Sequence, residues 1–416
     1  MRPGQITIAA ALLAGAVVAQ PRRADAQSGQ PAQPVAIRAE DVDPKPADTP
    51  AVAEDTAVNF GPRYYEAPVI STLSNKGAGW DLGKAIFGEE SLWDLGGWVQ
   101  QSTYTNSDGL FNKHPNGFRN QQSWVYLEKK IDSSEGFSIG GRVDAMYGTD
   151  AADTQAFGNE FGKYDFSGTF QRGSTYGFAI PQAYAELGYK EFAMKLGHFY
   201  TPLGYEVVPA TGNFFFSHAF TMYNSEPFTH TGALMTYSGI EKLTLFGGWT
   251  LGWDTGFDQF EGGNNFLGGF TYAPWDWMSA TYLLTAGDLG WIGKGYSHSI
   301  VLNTKLQDRL TWVLLSDLTA VEANDGSNYQ THGITNYLIY SLMDELGVGA
   351  RFEWWQRNSV SYYEVTGGFN ISLLPNLMIR PEGRYQWGPG ETASANNPAG
   401  LPVNVGIFGM DVILKF

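Results

Sequence analysis

From Leu92 to the end of the chain, apolar and polar residues alternate in short runs. The clearest run is the last: Phe408, Met410, Val412, Leu414 and Phe416 are apolar, with Gly409, Asp411 and Lys415 between them and Ile413 breaking the polar row. A period of two puts successive side chains on opposite faces, so this segment reads as a β-strand with one apolar face. The same reading predicts sixteen strands of about ten residues, bounded by turn signals. They fall near Leu92–Tyr104, Asn120–Ile131, Phe137–Tyr147, Phe178–Tyr189, Phe192–Tyr200, Phe228–Tyr237, Lys242–Gly252 and Asn264–Ala273. The rest are Trp277–Ala286, Tyr296–Lys305, Arg309–Ala320, Tyr329–Tyr340, Glu345–Gln356, Tyr362–Leu373, Leu377–Trp387 and Val403–Phe416.

Connections between these strands alternate between short and long. Asp132–Glu135, Lys190–Glu191, Ser238–Glu241, Pro274–Asp276, Gln307–Asp308, Met343–Asp344 and Pro375–Asn376 are short, whereas Gly148–Gly177 and Thr201–Pro227 are long and polar or Gly-rich. Tight turns at one end and long loops at the other are the signature of a transmembrane antiparallel up-and-down β-barrel, with 14 to 18 strands and long extracellular loops. The closing strand that ends in an aromatic, Phe416, resembles the final strand of outer-membrane barrels, the element their assembly machinery reads. Alternation then assigns faces. Leu346, Val348, Ala350, Phe352 and Trp354 point to lipid, and Glu345, Gly347, Gly349, Arg351 and Glu353 point to the lumen. Arg380, Glu382 and Arg384 share an inner face opposite Leu377, Ile379 and Tyr385, with Pro381 weakening that strand's pairing.

Composition agrees. Charged residues are 16% of the chain, against roughly 25% in soluble domains, while aromatics reach 15%. Mean hydropathy is -0.22, which does not exclude a membrane protein, because alternation cancels in a sliding average. Many of the 13 Trp lie near strand ends: Trp275 and Trp277 flank a short turn, and Trp253, Trp291, Trp355 and Trp387 lie near long loops, predicting two interfacial girdles. The chain has no Cys.

The chain starts with Arg2, an apolar stretch from Ile6 to Ala19 and the small-x-small site Ala24-Asp25-Ala26, an export signal over residues 1–26. Removing Arg2, Arg22, Arg23 and Asp25 moves the formal charge from -16 to -18. An acidic chain is a poor nucleic-acid binder, and a pore lined by it attracts cations. Residues 27–58 are a Pro/Ala/acidic spacer. Residues 59–90 hold a possible short helix at Leu82–Phe87, either plugging the barrel or lying beneath it in the periplasm, and 91–416 form the barrel.

The most distinctive run is Gly197-His198-Phe199-Tyr200-Thr201-Pro202-Leu203-Gly204-Tyr205-Glu206, followed by Asn213-Phe214-Phe215-Phe216-Ser217-His218 and Glu226-Pro227-Phe228-Thr229-His230-Thr231-Gly232. These motifs resemble the putative β-barrel porin-2 (OmpL-like) family, with its G-x-F-x-T-P-x-G-x-E strand end, N-F-F-x-S loop and E-P-x-x-H-T-G return. The resemblance implies an outer-membrane channel of a Gram-negative bacterium and leaves the solute open. By analogy with general porins, which are trimers, the third long loop, about 201–227, is the candidate constriction, and a homotrimer is expected.

A pore requires only a wide barrel and lumen charges. The nominated pore wall is Arg142, Asp144, Glu186, Lys195, Arg351, Glu353, Arg380, Glu382 and Arg384. The function expected is passive diffusion of small hydrophilic solutes or ions, without cofactor or metal. Two other readings stand beside it. A non-conducting barrel would serve adhesion or anchoring. An outer-membrane hydrolase would need Ser217 with His198 or His230, and a metal would need His218 with His230, but G-x-S-x-G, H-E-x-x-H and phosphate-loop motifs are missing.

Overall fold

The computed structural model describes residues 79–168, 175–388 and 397–416. The expected signal peptide and spacer lie outside the described residues. Sixteen antiparallel strands follow one another around a closed barrel. They are β1 Trp93–Tyr104, β2 Arg119–Lys129, β3 Phe137–Gly148, β4 Gly177–Tyr189, β5 Phe192–Tyr200, β6 Thr229–Ile240, β7 Leu243–Trp253 and β8 Asn264–Trp275. Then come β9 Met278–Asp288, β10 Lys294–Gln307, β11 Leu310–Glu322, β12 Asn328–Met343, β13 Leu346–Arg357, β14 Val360–Leu374, β15 Leu377–Trp387 and β16 Val405–Lys415.

The barrel closes where β1 pairs with β16, in a register that sets Gln100 opposite Ile413 and Ser102 opposite Asp411. The final Phe416 exchanges two backbone hydrogen bonds with Gly97, each 3.0 Å. Closure matters because a sheet edge in hydrocarbon would leave N–H and C=O groups without partners.

The two-residue period holds on both faces. Phe408, Met410 and Leu414 are exposed on the outside, and Asp411 is fully buried on the inside. Ile413, the residue that broke the polar row, does face inward. It is buried against Trp98 and Trp124, whose rings stack with centroids 4.6 Å apart, so an apolar side chain fits there. In β2, Trp124 turns in and Val125 out. Pro381 has the expected effect: pairing of β14 with β15 runs from Tyr363 to Gly368, skips Phe369 and Asn370, and resumes at Ile371.

The helix α1, Leu82–Phe87, is capped by Asp81, whose side chain accepts the Lys84 amide. It packs against β1. Just before it, the Trp80 amide donates to Asn376 Oδ1 at 2.8 Å, and Asn376 Nδ2 donates to the Trp80 carbonyl at 2.7 Å. Asn376 sits in the β14–β15 turn, so residues 79–87 dock at the rim where the short turns lie. Among the described residues two further short α-helices occur, α2 Ala151–Thr154 and α3 Phe220–Asn224.

The Trp girdles are only partly as expected. Trp275 and Trp277 stack beside a short turn with centroids 5.1 Å apart, and Trp291 is exposed near the opposite end. Trp253 and Trp355, however, are buried. Trp355 has the same strand parity as Arg351 and Glu353, which sends it to the inside.

A loop tied to the inner wall

The third long loop joins β5 to β6 through residues 201–228. It crosses the interior and bonds side chains that the strand period points inward on the far wall. Several of its peptide groups meet a charge of suitable sign. Glu382 on β15 accepts the amides of Phe216 and Ser217, at 2.9 and 3.1 Å. Glu353 on β13 accepts the amides of Phe220 and Thr221 at 2.6 and 2.7 Å, where α3 starts. A carboxylate is favoured there because the first amides of a helix have no partner within it. Arg380 on β15 does the converse, donating to the carbonyls of Ala210, Asn213 and Phe215 at 3.0, 2.7 and 3.2 Å while gripping Asp411 on β16. Arg384 donates to the His218 carbonyl at 2.6 Å.

Glu206 is the hub inside the loop. It receives Arg351 Nη1 at 2.6 Å, the Tyr337 hydroxyl at 3.1 Å and the Ala219 amide at 2.8 Å, and it lies 3.2 Å from His218 Nδ1. Burial alone would raise its pKa. The Arg351 guanidinium, His218 and the Ala219 amide outweigh burial and hold the carboxyl at about 2. Arg351 also bonds Glu364 on β14 at 2.8 Å and the Ser217 carbonyl at 2.7 Å, which satisfies a cation with no exposed surface.

Apolar packing adds a second set of ties. Phe214 and Phe215 fit against Val301, Val313, Leu315, Tyr337 and Ile339, the inner faces of β10 to β12. Phe216 meets Tyr104 and Ile407, and Phe220 packs with Trp355 and Tyr362. On the opposite side, Leu203 joins the inner faces of β4 to β9 through Tyr184, Phe199, Leu234, Phe246, Leu267 and Leu283.

The remaining motif residues shape the loop. Thr201 Oγ1 lies 3.1 Å from His230 Nε2, clamping the two ends of the loop, and Pro202 follows at the bend. Gly204 has φ +85°, its amide donates to Ser299 Oγ at 2.9 Å, and the Glu226 carboxyl occupies the space a Cβ would need. The Asn213 side chain accepts the Val207 amide at 2.9 Å. On the return limb before Pro227 and Phe228, the Ser225 carbonyl accepts from Ser297 and Thr319 hydroxyls at 3.1 and 2.9 Å. The Phe228 amide donates to Asp254 Oδ1 at 2.7 Å, and burial pushes the Asp254 carboxyl up to about 7.

Two arrangements weighed from the sequence are not assembled. Ser217 is bound to Arg351, while His198 bonds Thr231 and His230 bonds Thr201, so no Ser–His pair forms. His218 and His230 likewise have separate partners, Glu206 and Thr201.

The nominated pore wall divides into groups. Arg351, Glu353, Arg380, Glu382 and Arg384 face inward, as expected from strand parity, and are buried beneath the loop. Their charges are spent on loop peptides and on one another. Asp144, Glu186 and Lys195 are also buried. Arg142 keeps 17% side-chain exposure and its partner Glu128 keeps 19%, at 3.1 Å, with the guanidinium also on Asp144 and over the Tyr126 ring. Asp94 nearby is partly exposed.

Sequence reading missed Gln122, which accepts the Ala210 amide and donates to the Val208 carbonyl, as well as Asp317, Glu364 and Asp411. All four are polar residues at inward parity in their strands, and that parity was the available signal.

Solved porin structures share this barrel fold. An anion-selective porin from Comamonas acidovorans superposes with TM-score 0.54 at 12% identity, covering 78% of this chain and 99% of that one. OmpT of Vibrio cholerae in a trimer form gives 0.51 at 11%, with 78% and 99% covered. The outer-membrane channel DcaP of Acinetobacter baumannii gives 0.52 at 9%, with 78% and 97% covered. Among curated proteins no match was found. Residues 94–416 match the family described as putative beta-barrel porin-2, OmpL-like, and the chain belongs to that family of outer-membrane β-barrel porins.

Proposed function

We propose that the protein is a passive diffusion channel for small hydrophilic solutes or ions, in which the loop at 201–227 sets the narrowest section. The observation that carries this reading is the loop's path: the Gln122 amide of β2 and charges and hydroxyls of β10 to β13 and β15 hold it across the interior of a barrel wide enough for an aqueous lumen. Among the described residues, charges at inward parity that keep some exposure include Asp94, Glu128 and Arg142 on β1 to β3, Arg357 on β13 and Lys415 on β16. The Comamonas porin is named as anion-selective, whereas this chain carries a net charge of -16, which favours cations.

The short-turn end, with both strand termini, is assigned to the periplasm and the long loops to the outside. Residues 1–26 direct export, and the strand ending in Phe416 engages the assembly machinery of a Gram-negative outer membrane. The trimer form named for the Vibrio structure supports a homotrimer. Family and fold favour a pore over an enzyme. Purified protein in planar bilayers should give stable ohmic steps, and deletion of Gly212 to Thr221 should enlarge them. Silent bilayers under all conditions would refute the channel, and unchanged steps after the deletion would remove the loop from the conducting path.

A further inference from the structure

Among the described residues, the buried acids of the interior mostly have cations or amides facing them. One pair stands apart. Asp317, at inward parity on β11, is buried and neither of its carboxyl oxygens has a donor, and Glu226 on the return limb of the loop is buried with Oε1 likewise unmet. The two carboxyls lie within hydrogen-bond reach of each other. Everything titratable that faces Glu226 is acidic: Asp317 from β11, Glu353 from β13 and Glu206 from the loop itself. Arg351, the cation in this region, is already divided between Glu206 and Glu364. Two ionised carboxylates cannot stay in contact in such a site, and a proton between them supplies the missing donor.

We propose that Glu226 and Asp317 share a proton that fastens the return limb of the loop to β11, making the position of the loop sensitive to pH. The proposal rests on the reading of the loop as the constriction. Burial and the neighbouring acids push the Glu226 carboxyl up to about 8. Because the fastened state has the raised pKa, the strap is complete below the ordinary carboxyl range and is lost as pH rises toward 8. Release of one proton makes the ratio of released to fastened loop climb by up to about tenfold per pH unit across that window.

The test is single-channel recording from pH 5 to 9 on wild type, Glu226→Gln, Asp317→Asn and the double variant, read as the ratio of time spent in two current levels. The amides are neutral isosteres that keep a donor, so each variant imitates the protonated pair and folds as wild type does. Wild type should shift with pH and the double variant should stay at its low-pH behaviour throughout. A flat wild-type profile, or variants that keep the wild-type profile, would overturn the strap. So would calcium restoring the low-pH behaviour at pH 9, since the pair would then be a cation site. Difference infrared spectra give a readout independent of conduction: a protonated-carboxyl band present in wild type and missing from the double variant supports the shared proton even if bilayers are silent, and its absence from wild type refutes it.

Discussion

Arg351 Nη1 and Glu206 Oε1 meet at 2.6 Å across the inside of the barrel, one from strand β13 and the other from the loop that leaves β5. The two residues are 145 positions apart. The contact explains how a long loop is held in a lumen: the wall supplies a cation where the loop supplies the buried carboxylate of Glu206.

Replacing Arg351 by Met should therefore release the loop. It leaves Glu206 buried without its cation and Glu364 with only Arg384, 3.9 Å away, which costs about 3–5 kcal/mol. The expected result is a lower temperature for loss of the folded barrel, read from heat-dependent gel mobility, together with larger and noisier channel currents. Wild-type melting would show that another contact carries the loop.

Acid should loosen the same contact. The Glu206 carboxyl titrates at about 2, below its ordinary 4.5, so its stabilising effect is present above that ordinary value and is lost as pH falls toward 2. Protease cleavage within residues 201–228 should be negligible at pH 5 and become detectable after brief exposure to pH 2. Equal cleavage at both values would argue against this electrostatic tie.

Charge removal should sort the inner wall. Arg142→Gln takes away a partly exposed cation, and one unit charge beside a wet path contributes about 0.5–1 kcal/mol, a two- to fivefold gain in cation over anion permeability. Arg380→Gln should leave that ratio unchanged, because Arg380 is covered by the loop and bound to Asp411, and should instead lower stability. Reversal potentials in a salt gradient decide, and the opposite ranking would place the path along β15.

Gly204→Ala should be poorly tolerated. The residue has φ +85° and its Cβ would enter the Glu226 carboxyl, so backbone strain of about 1–2 kcal/mol adds to a clash. Shortening Glu226 to Ala in the same chain should recover the part due to the clash. The two changes should then be clearly non-additive in melting temperature, whereas additive losses would mean that strain alone matters.

The strands were legible because each is a local statement. The run Glu345 to Glu353 assigns lipid and lumen faces by itself, since the faces of a strand follow from a period of two regardless of what surrounds it. The same local rule, carried one step further, would have put Trp355 inside, where it donates to Ser225 Oγ. The loop was legible only as a motif. Its Thr, Gly, Glu and His residues marked a special segment, yet nothing in their spacing named Glu353, Glu382 or Arg380 as partners.

The sequence by itself determined a sixteen-stranded closed barrel with tight turns at one end, because alternation and turn chemistry act between neighbours in the chain. Only the tertiary structure decided which inner charges meet water and which are consumed in holding the loop. That outcome depends on residues more than a hundred positions apart arriving at the same depth in the barrel, and strand register together with the path of residues 201–228 sets that depth.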